Sequence, residues 1–183
     1  MIKIFGAYPW TKDAFNKKGG AKEKNKFSPL AIKELINHVQ KRLEKYQLNH
    51  QEIECPKLFY SRLRATSGSF LLSSLRERMK TAYAVIFDIT DKNPNVMLEL
   101  GIALELQQNL EHSAKVFLIA CAREYSDSLL PSDIRGYFLT TYKIDEKTNK
   151  VTFCDGGSLV MRIVSDILEQ KQVAYIENIE DEK

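Results

Sequence analysis

Two short apolar runs constrain what this chain can fold into more than any other feature. Tyr83-Ala84-Val85-Ile86-Phe87-Asp88-Ile89 and the stretch 115–122 are rich in β-branched and aromatic residues and show no regular polar alternation. A strand with one wet face alternates, so this pattern belongs to strands buried on both faces of a parallel sheet. Between the two runs lies a helical pattern that opens at Asn93-Pro94-Asn95 and continues to about Leu110. Before the first run, another helical pattern turns Phe70, Leu71, Leu75 and Met79 inward. Parallel strands need a crossover, and strand, helix, strand in sequence supplies one of right-handed sense.

The flanking segments extend the same alternation. Residues 1–5 read as a first strand, after which Gly6-Ala7-Tyr8-Pro9-Trp10 turns the chain out. Ser28-Pro29 supplies an N-cap and a first helical proline, and Ile32, Leu35, Ile36, Val39, Leu43 and Tyr46 follow at helical spacing. Residues 53–60 read as a second strand whose Cys55-Pro56 suggests an edge position or a bulge. A further strand over 138–143, a turn or hairpin over 144–153 around Glu146-Lys147-Thr148-Asn149, and a closing helix over 159–168 complete the series. The prediction is a single α/β domain over residues 1–183, with a doubly wound, mostly parallel sheet of flavodoxin-like or Rossmann-like kind flanked by helices. Residues 11–27 read as a mobile surface loop around Gly19-Gly20, with a phosphate-attracting flap as the functional alternative, and 176–183 as a frayed tail. Residues 12–26 carry a local excess of four positive charges.

Several function classes drop out on composition. The apolar runs are far shorter than the ~20 residues that cross a bilayer, so no membrane partner is expected. The start at Met1-Ile2-Lys3-Ile4-Phe5 lacks the layout of an export signal. Cys55, Cys121 and Cys154 contain no C-x-x-C pair, which argues against a disulfide framework and a zinc site and for a cytoplasmic location. A net charge of +3 does not suggest direct nucleic-acid binding. His38, His50 and His112 show no ligand spacing, so no metal is expected.

The chemistry concentrates after the central strand. In doubly wound sheets ligands collect beyond the carboxyl ends of the strands. Asp88 and Thr90 end the strand, and Asn93 as N-cap with Pro94 leaves free N–H groups near Asn95 and Val96, a terminus that attracts anions. Glu99 is out of character on so apolar a helix, and no Lys or Arg lies three or four residues away from it. Its plain readings are a solvent-facing residue or an acid favoured by the helix macrodipole. Arg62 and Arg64 suit bidentate phosphate contacts or a solvated surface. Ser67 and Ser69 suit ribose or phosphate contacts or a helix cap, Asp88 a ribose hydroxyl or the groups at a strand end, and Asp133 with Arg135 an internal ion pair.

The twenty-residue segment from Ala84 to Ala103, an apolar strand ending in Asp88 and followed by Asn93-Pro94-Asn95-Val96 and Glu99-Leu100-Gly101, resembles the nucleoside 2-deoxyribosyltransferase-like superfamily and particularly its TIR-like bacterial branch. Phe5-Gly6-Ala7-Tyr8-Pro9, Ser67-Gly68-Ser69 and Leu130-Pro131-Ser132-Asp133-Ile134-Arg135-Gly136 add weaker similarity. The resemblance implies cleavage or transfer at an N-glycosidic bond, with Glu99 attacking or stabilising the anomeric carbon as in retaining glycosidases. It implies a nucleotide site formed by Tyr8, Arg62, Arg64, Ser67, Ser69, Asp88, Asn93 and Asn95, and a Gly101 that lets a neighbour approach. Deoxyribosyltransferases usually carry an acid on the helix before the central strand, and this chain has Leu75 there. Nicotinamide leaves as a neutral molecule without protonation, so NAD or a related nucleotide is the expected substrate and no separate cofactor is needed. The expectation is a hydrolase, by resemblance an antiviral defence effector, working as a homo-oligomer or with a regulatory protein. Its Glu99 would be ionised throughout, with a rate nearly constant between pH 6 and 8. The alternatives are a deoxyribosyltransferase or deoxynucleotide hydrolase, and a silent nucleotide sensor.

Overall fold

The computed structural model describes residues 1–8, 28–49, 56–63, 71–90, 92–109, 114–122, 139–145 and 147–181. Its central strands are the two apolar runs. β3 (Ala84–Asp88) is buried at every position, and in β4 (Lys115–Cys121) only the end residues are partly exposed. Side chains alternate between the two faces of the sheet. Val85, Phe87, Val116, Leu118 and Ala120 enter one apolar layer, while Ala84, Ile86, Phe117 and Ile119 enter the other. Each buried Val, Leu, Ile or Phe among them contributes roughly 1.5–3 kcal/mol of transfer free energy. Together they explain why neither run tolerates polar alternation.

Around this centre stand β1 (Ile2–Ala7), α1 (Ser28–Asn49), β2 (Leu58–Arg62), α2 (Leu71–Lys80), α3 (Pro94–Asn109), β5 (Leu139–Asp145), β6 (Lys150–Phe153) and α4 (Ser158–Asp181). The six strands lie in the order β2-β1-β3-β4-β5-β6, all neighbours parallel except the antiparallel β5–β6 pair. Buried residues of α2 and α3 close one face, and those of α1 and α4 the other. The protein is thus one α/β domain with a doubly wound, mostly parallel sheet. The stripe from Ile32 to Leu43 is buried against the sheet, as its spacing predicts.

Some boundaries differ from the sequence reading. β1 continues through Gly6 and Ala7, which pair with β2 and β3 instead of turning out. β2 starts at Leu58, beyond Pro56, and runs to Arg62 on the sheet edge. β5 extends to Asp145 because β6 pairs with it out to Lys150. α4 continues to Asp181, far past the stripe that ends at Leu168, through residues dominated by good helix formers. Among the described residues no helix is long and apolar enough to cross a membrane. The expected loop over 11–27, together with Arg64, Ser67, Ser69, His50, His112, Asp133 and Arg135, lies outside the described residues.

Candidate active site at the strand-order reversal

β1 lies between β2 and β3, and from it the chain winds first to one side and then to the other. The carboxyl ends of strands on either side of such a reversal splay apart, leaving a crevice. Tyr8, Arg62 and Asp88 end or follow these three strands, with Gly6 in register with Arg62 on one side and Ile86 on the other. Glycine leaves room at position 6, because a Cβ there would lie 2.8 Å from the Tyr60 hydroxyl and 3.1 Å from Ile32, so that the Tyr60 ring would have to shift. The ring of Tyr60 therefore lies over β1. Its hydroxyl is buried beside Tyr8, and burial first, then the Tyr8 hydroxyl, raises its pKa.

Arg62 and Tyr8 form one unit. Arg62 Nη2 donates to the Tyr8 carbonyl oxygen at 3.1 Å, and the guanidinium carbon sits 4.4 Å from the centre of the Tyr8 ring. Stacking of this kind fixes a planar cation against an aromatic face. The same guanidinium acts electrostatically on Glu99, one and a half turns into α3. Glu99 is half-buried. Burial raises its pKa to about 7, with the Arg62 charge opposing. The expectation of a carboxylate ionised throughout pH 6–8 is thereby corrected: desolvation on the apolar helix outweighs the Arg62 charge, the opposing cation among the described residues.

The start of α3 is built by Asn93. Its side-chain oxygen accepts the Asn95 N–H at 3.0 Å and its carbonyl accepts the Met97 N–H at 2.9 Å, so it is the N-cap its position suggested. The Asn95 side chain is exposed. Before the cap, Lys92 takes a left-handed conformation with φ 48° and donates its N–H to the Ile89 carbonyl.

Asp88 is committed inside the fold. It is 1% exposed. Oδ1 accepts the Thr90 N–H and hydroxyl, Oδ2 accepts the Tyr142 hydroxyl at 2.6 Å, and Ser28 donates to the same carboxyl group. Thr90 Oγ1 in turn accepts the Cys121 N–H at 2.8 Å. Burial raises the pKa of Asp88 against these donors, and burial together with the Asp88 charge raises that of Tyr142. Of its two sequence readings, the strand-end role is the one that these hydrogen bonds fill. Ser28, Thr90 and Tyr142 were missed as partners. Ser28 was read only as a helix cap, and no local pattern links Tyr142 to a residue 54 positions away.

Leu75 is 2% exposed and packs in the apolar layer with Met79, Leu100 and Ala103. Among the described residues no group of three or more His, Cys, Asp or Glu is arranged to hold a metal. No protein-family model and no curated protein matches the chain. Fold and geometry alone define its class: a single-domain α/β protein with a half-buried carboxylate and a stacked arginine at the reversal of its strand order.

Proposed function

We propose that the chain is an N-glycosidic bond hydrolase acting on NAD or a related nucleotide, with Glu99 as its catalytic carboxylate. The observation that carries this reading is the setting of Glu99, half-buried behind a helix N-terminus at the strand-order reversal and subject to the Arg62 charge. The resemblance of residues 84–103 to N-glycoside-cleaving proteins supports it. In the proposed reaction the bond between ribose C1′ and the nicotinamide nitrogen breaks, and its electron pair neutralises the pyridinium. Ionised Glu99 faces the positive charge that develops at C1′, by attack or by electrostatic stabilisation. Water then adds hydroxide to C1′ and releases a proton, giving nicotinamide and ADP-ribose. Tyr8 and Arg62 form the wall of the nucleotide site, and Arg64, Ser67 and Ser69 supply phosphate and ribose contacts by resemblance. A cytoplasmic role in antiviral defence belongs to the same reading.

Because the reactive form of Glu99 is the anion, kcat/KM for NAD rises as pH passes through about 7. Its raised pKa also favours a second reading, in which the protonated carboxyl serves a deoxynucleoside by protonating a neutral base. That activity falls over the same interval. Chromatography of free base released from NAD, NADP, ATP and deoxynucleosides at pH 6, 7 and 8 separates the two. Nicotinamide release that rises with pH and vanishes in Glu99→Gln supports the hydrolase. Deoxynucleoside cleavage with NAD intact supports the second reading, and binding without cleavage of any of them leaves a sensor.

A further inference from the structure

A glycine inside a strand weakens it, having no side chain to pack and more freedom to lose, and it often marks the close approach of another group. Gly6 lies in β1 between Arg62 of β2 and Ile86 of β3. The group that approaches it is Tyr60, which stands in register with Ile4, two residues earlier. Side chains of a strand lean along its direction. The Tyr60 ring therefore runs toward the carboxyl end of the sheet and crosses β1 where no Cβ stands, its edge and hydroxyl 2.9 and 2.8 Å from the place one would take. Its buried hydroxyl arrives beside that of Tyr8, the residue that follows β1. A buried phenol oxygen costs free energy unless it meets a polar group, and a phenylalanine would fill the same space without that cost. The oxygen must therefore be accounted for by what it meets.

Tyr8 passes the arrangement on. Its carbonyl accepts Arg62 Nη2 at 3.1 Å and its ring lies 4.4 Å from the guanidinium carbon. Arg62 ends β2, an edge strand, where a long side chain has several rotamers to lose. The effect of a charge falls with distance and with solvent, so where the guanidinium is held decides what it does. We propose that Tyr60 is a positioning residue for the Glu99 carboxylate: from across β1 at Gly6 its hydroxyl steadies Tyr8, and the ring and carbonyl of Tyr8 hold the Arg62 guanidinium where its charge reaches Glu99. Tyr60 itself touches no reacting atom. Among the described residues Arg62 is the charged group that acts on Glu99, and it favours the anion against burial. A cation held in place before a ligand arrives need not be ordered during the reaction.

This role rests on the reading of Glu99 as the working carboxylate, but its test needs no turnover. The side-chain carboxyl carbon of Glu99, assigned by its loss in Glu99→Gln, is followed by carbon-13 NMR from pH 4 to 9. Arg62→Met removes the charge and should raise the Glu99 midpoint by ~1 pH unit, and Tyr60→Phe, which keeps the ring and deletes only the hydroxyl, by ~0.5 pH unit. Tyr8→Phe should match Tyr60→Phe, since it removes the other member of the same contact, and it decides the matter if Tyr60→Phe does not fold. In the Arg62→Met background Tyr60→Phe should add nothing, a result that a merely structural role would not give. A midpoint that either phenylalanine variant leaves unchanged, one indifferent to Arg62→Met, or a Tyr60→Phe shift that persists without Arg62 would each overturn the proposal. Absence of base release from the wild-type protein would count against the hydrolase and leave these midpoints as they are.

Discussion

Glu99 combines features that pull stability and chemistry in opposite directions. Its folded-state pKa stands at about 7, above the ordinary carboxylate value, because burial disfavours the charge. Below pH 4.5 the folded and unfolded chains both hold the proton and the residue is neutral in its effect. Between there and about pH 7 the unfolded chain releases its proton first, so stability falls as pH rises, and above pH 7 the whole penalty is present. With allowance for solvent at a half-buried site, the penalty is ~1–2 kcal/mol. Glu99→Gln should therefore melt higher than the wild type at pH 8, with the difference shrinking to near zero at pH 4.5. Thermal denaturation followed by circular dichroism across this range checks the sign. An unchanged difference across the range would mean that Glu99 titrates normally. A residue that costs the fold stability at neutral pH is one whose retention needs a reason other than packing.

At the scale of elements, the helix before the central strand decides whether an acid could have stood in the crevice. Leu75 is packed between α2, α3 and the sheet, so an aspartate at this position enters an apolar layer and not a solvated cleft. Leu75→Asp should cost about 3 kcal/mol or more in urea unfolding and confer no deoxynucleoside cleavage. Acquisition of that cleavage would show that α2 does border the site. The elements themselves were legible where one physical demand dominates. β3 and β4 declare themselves because burial on both faces leaves no room for polar side chains, and α1 because its stripe matches a helix. Legibility fails where pairing sets the limits. Gly6 reads as a turn residue, yet it lies in β1 because the Tyr60 ring crosses it. Likewise β2 begins after Pro56, and β5 is lengthened by β6. At the site, Glu99 stood out because it violates the polarity of its own helix, and Asn93 because capping is local. The Tyr8–Arg62 stack and the partners of Asp88 rest on contacts between distant segments, which no window of sequence contains.

The whole molecule is tied together at Asp88, where one carboxyl group gathers hydrogen bonds from α1, β5 and the turn that follows β3, and through Thr90 reaches β4. Tyr142→Phe removes one donor from a group with no access to water, and should cost about 1.5–3 kcal/mol of global stability while retaining the fold. Native-state hydrogen exchange should show that loss in β3, β4 and β5 alike. Faster exchange confined to β5 would mean the network is only a local clasp. The strand order has a further consequence, for how the chain comes into being. β1 precedes the other described elements along the chain, yet its neighbours β2 and β3 end only at Arg62 and Asp88. Until they emerge, an apolar segment waits without a sheet to join. Among the described strands, only the β5–β6 hairpin pairs immediate neighbours along the chain without a long excursion. High contact order of this kind slows folding and prolongs the exposure of sticky segments on the ribosome. Expression of this protein should accordingly benefit more from slower synthesis or added chaperone than from any surface substitution.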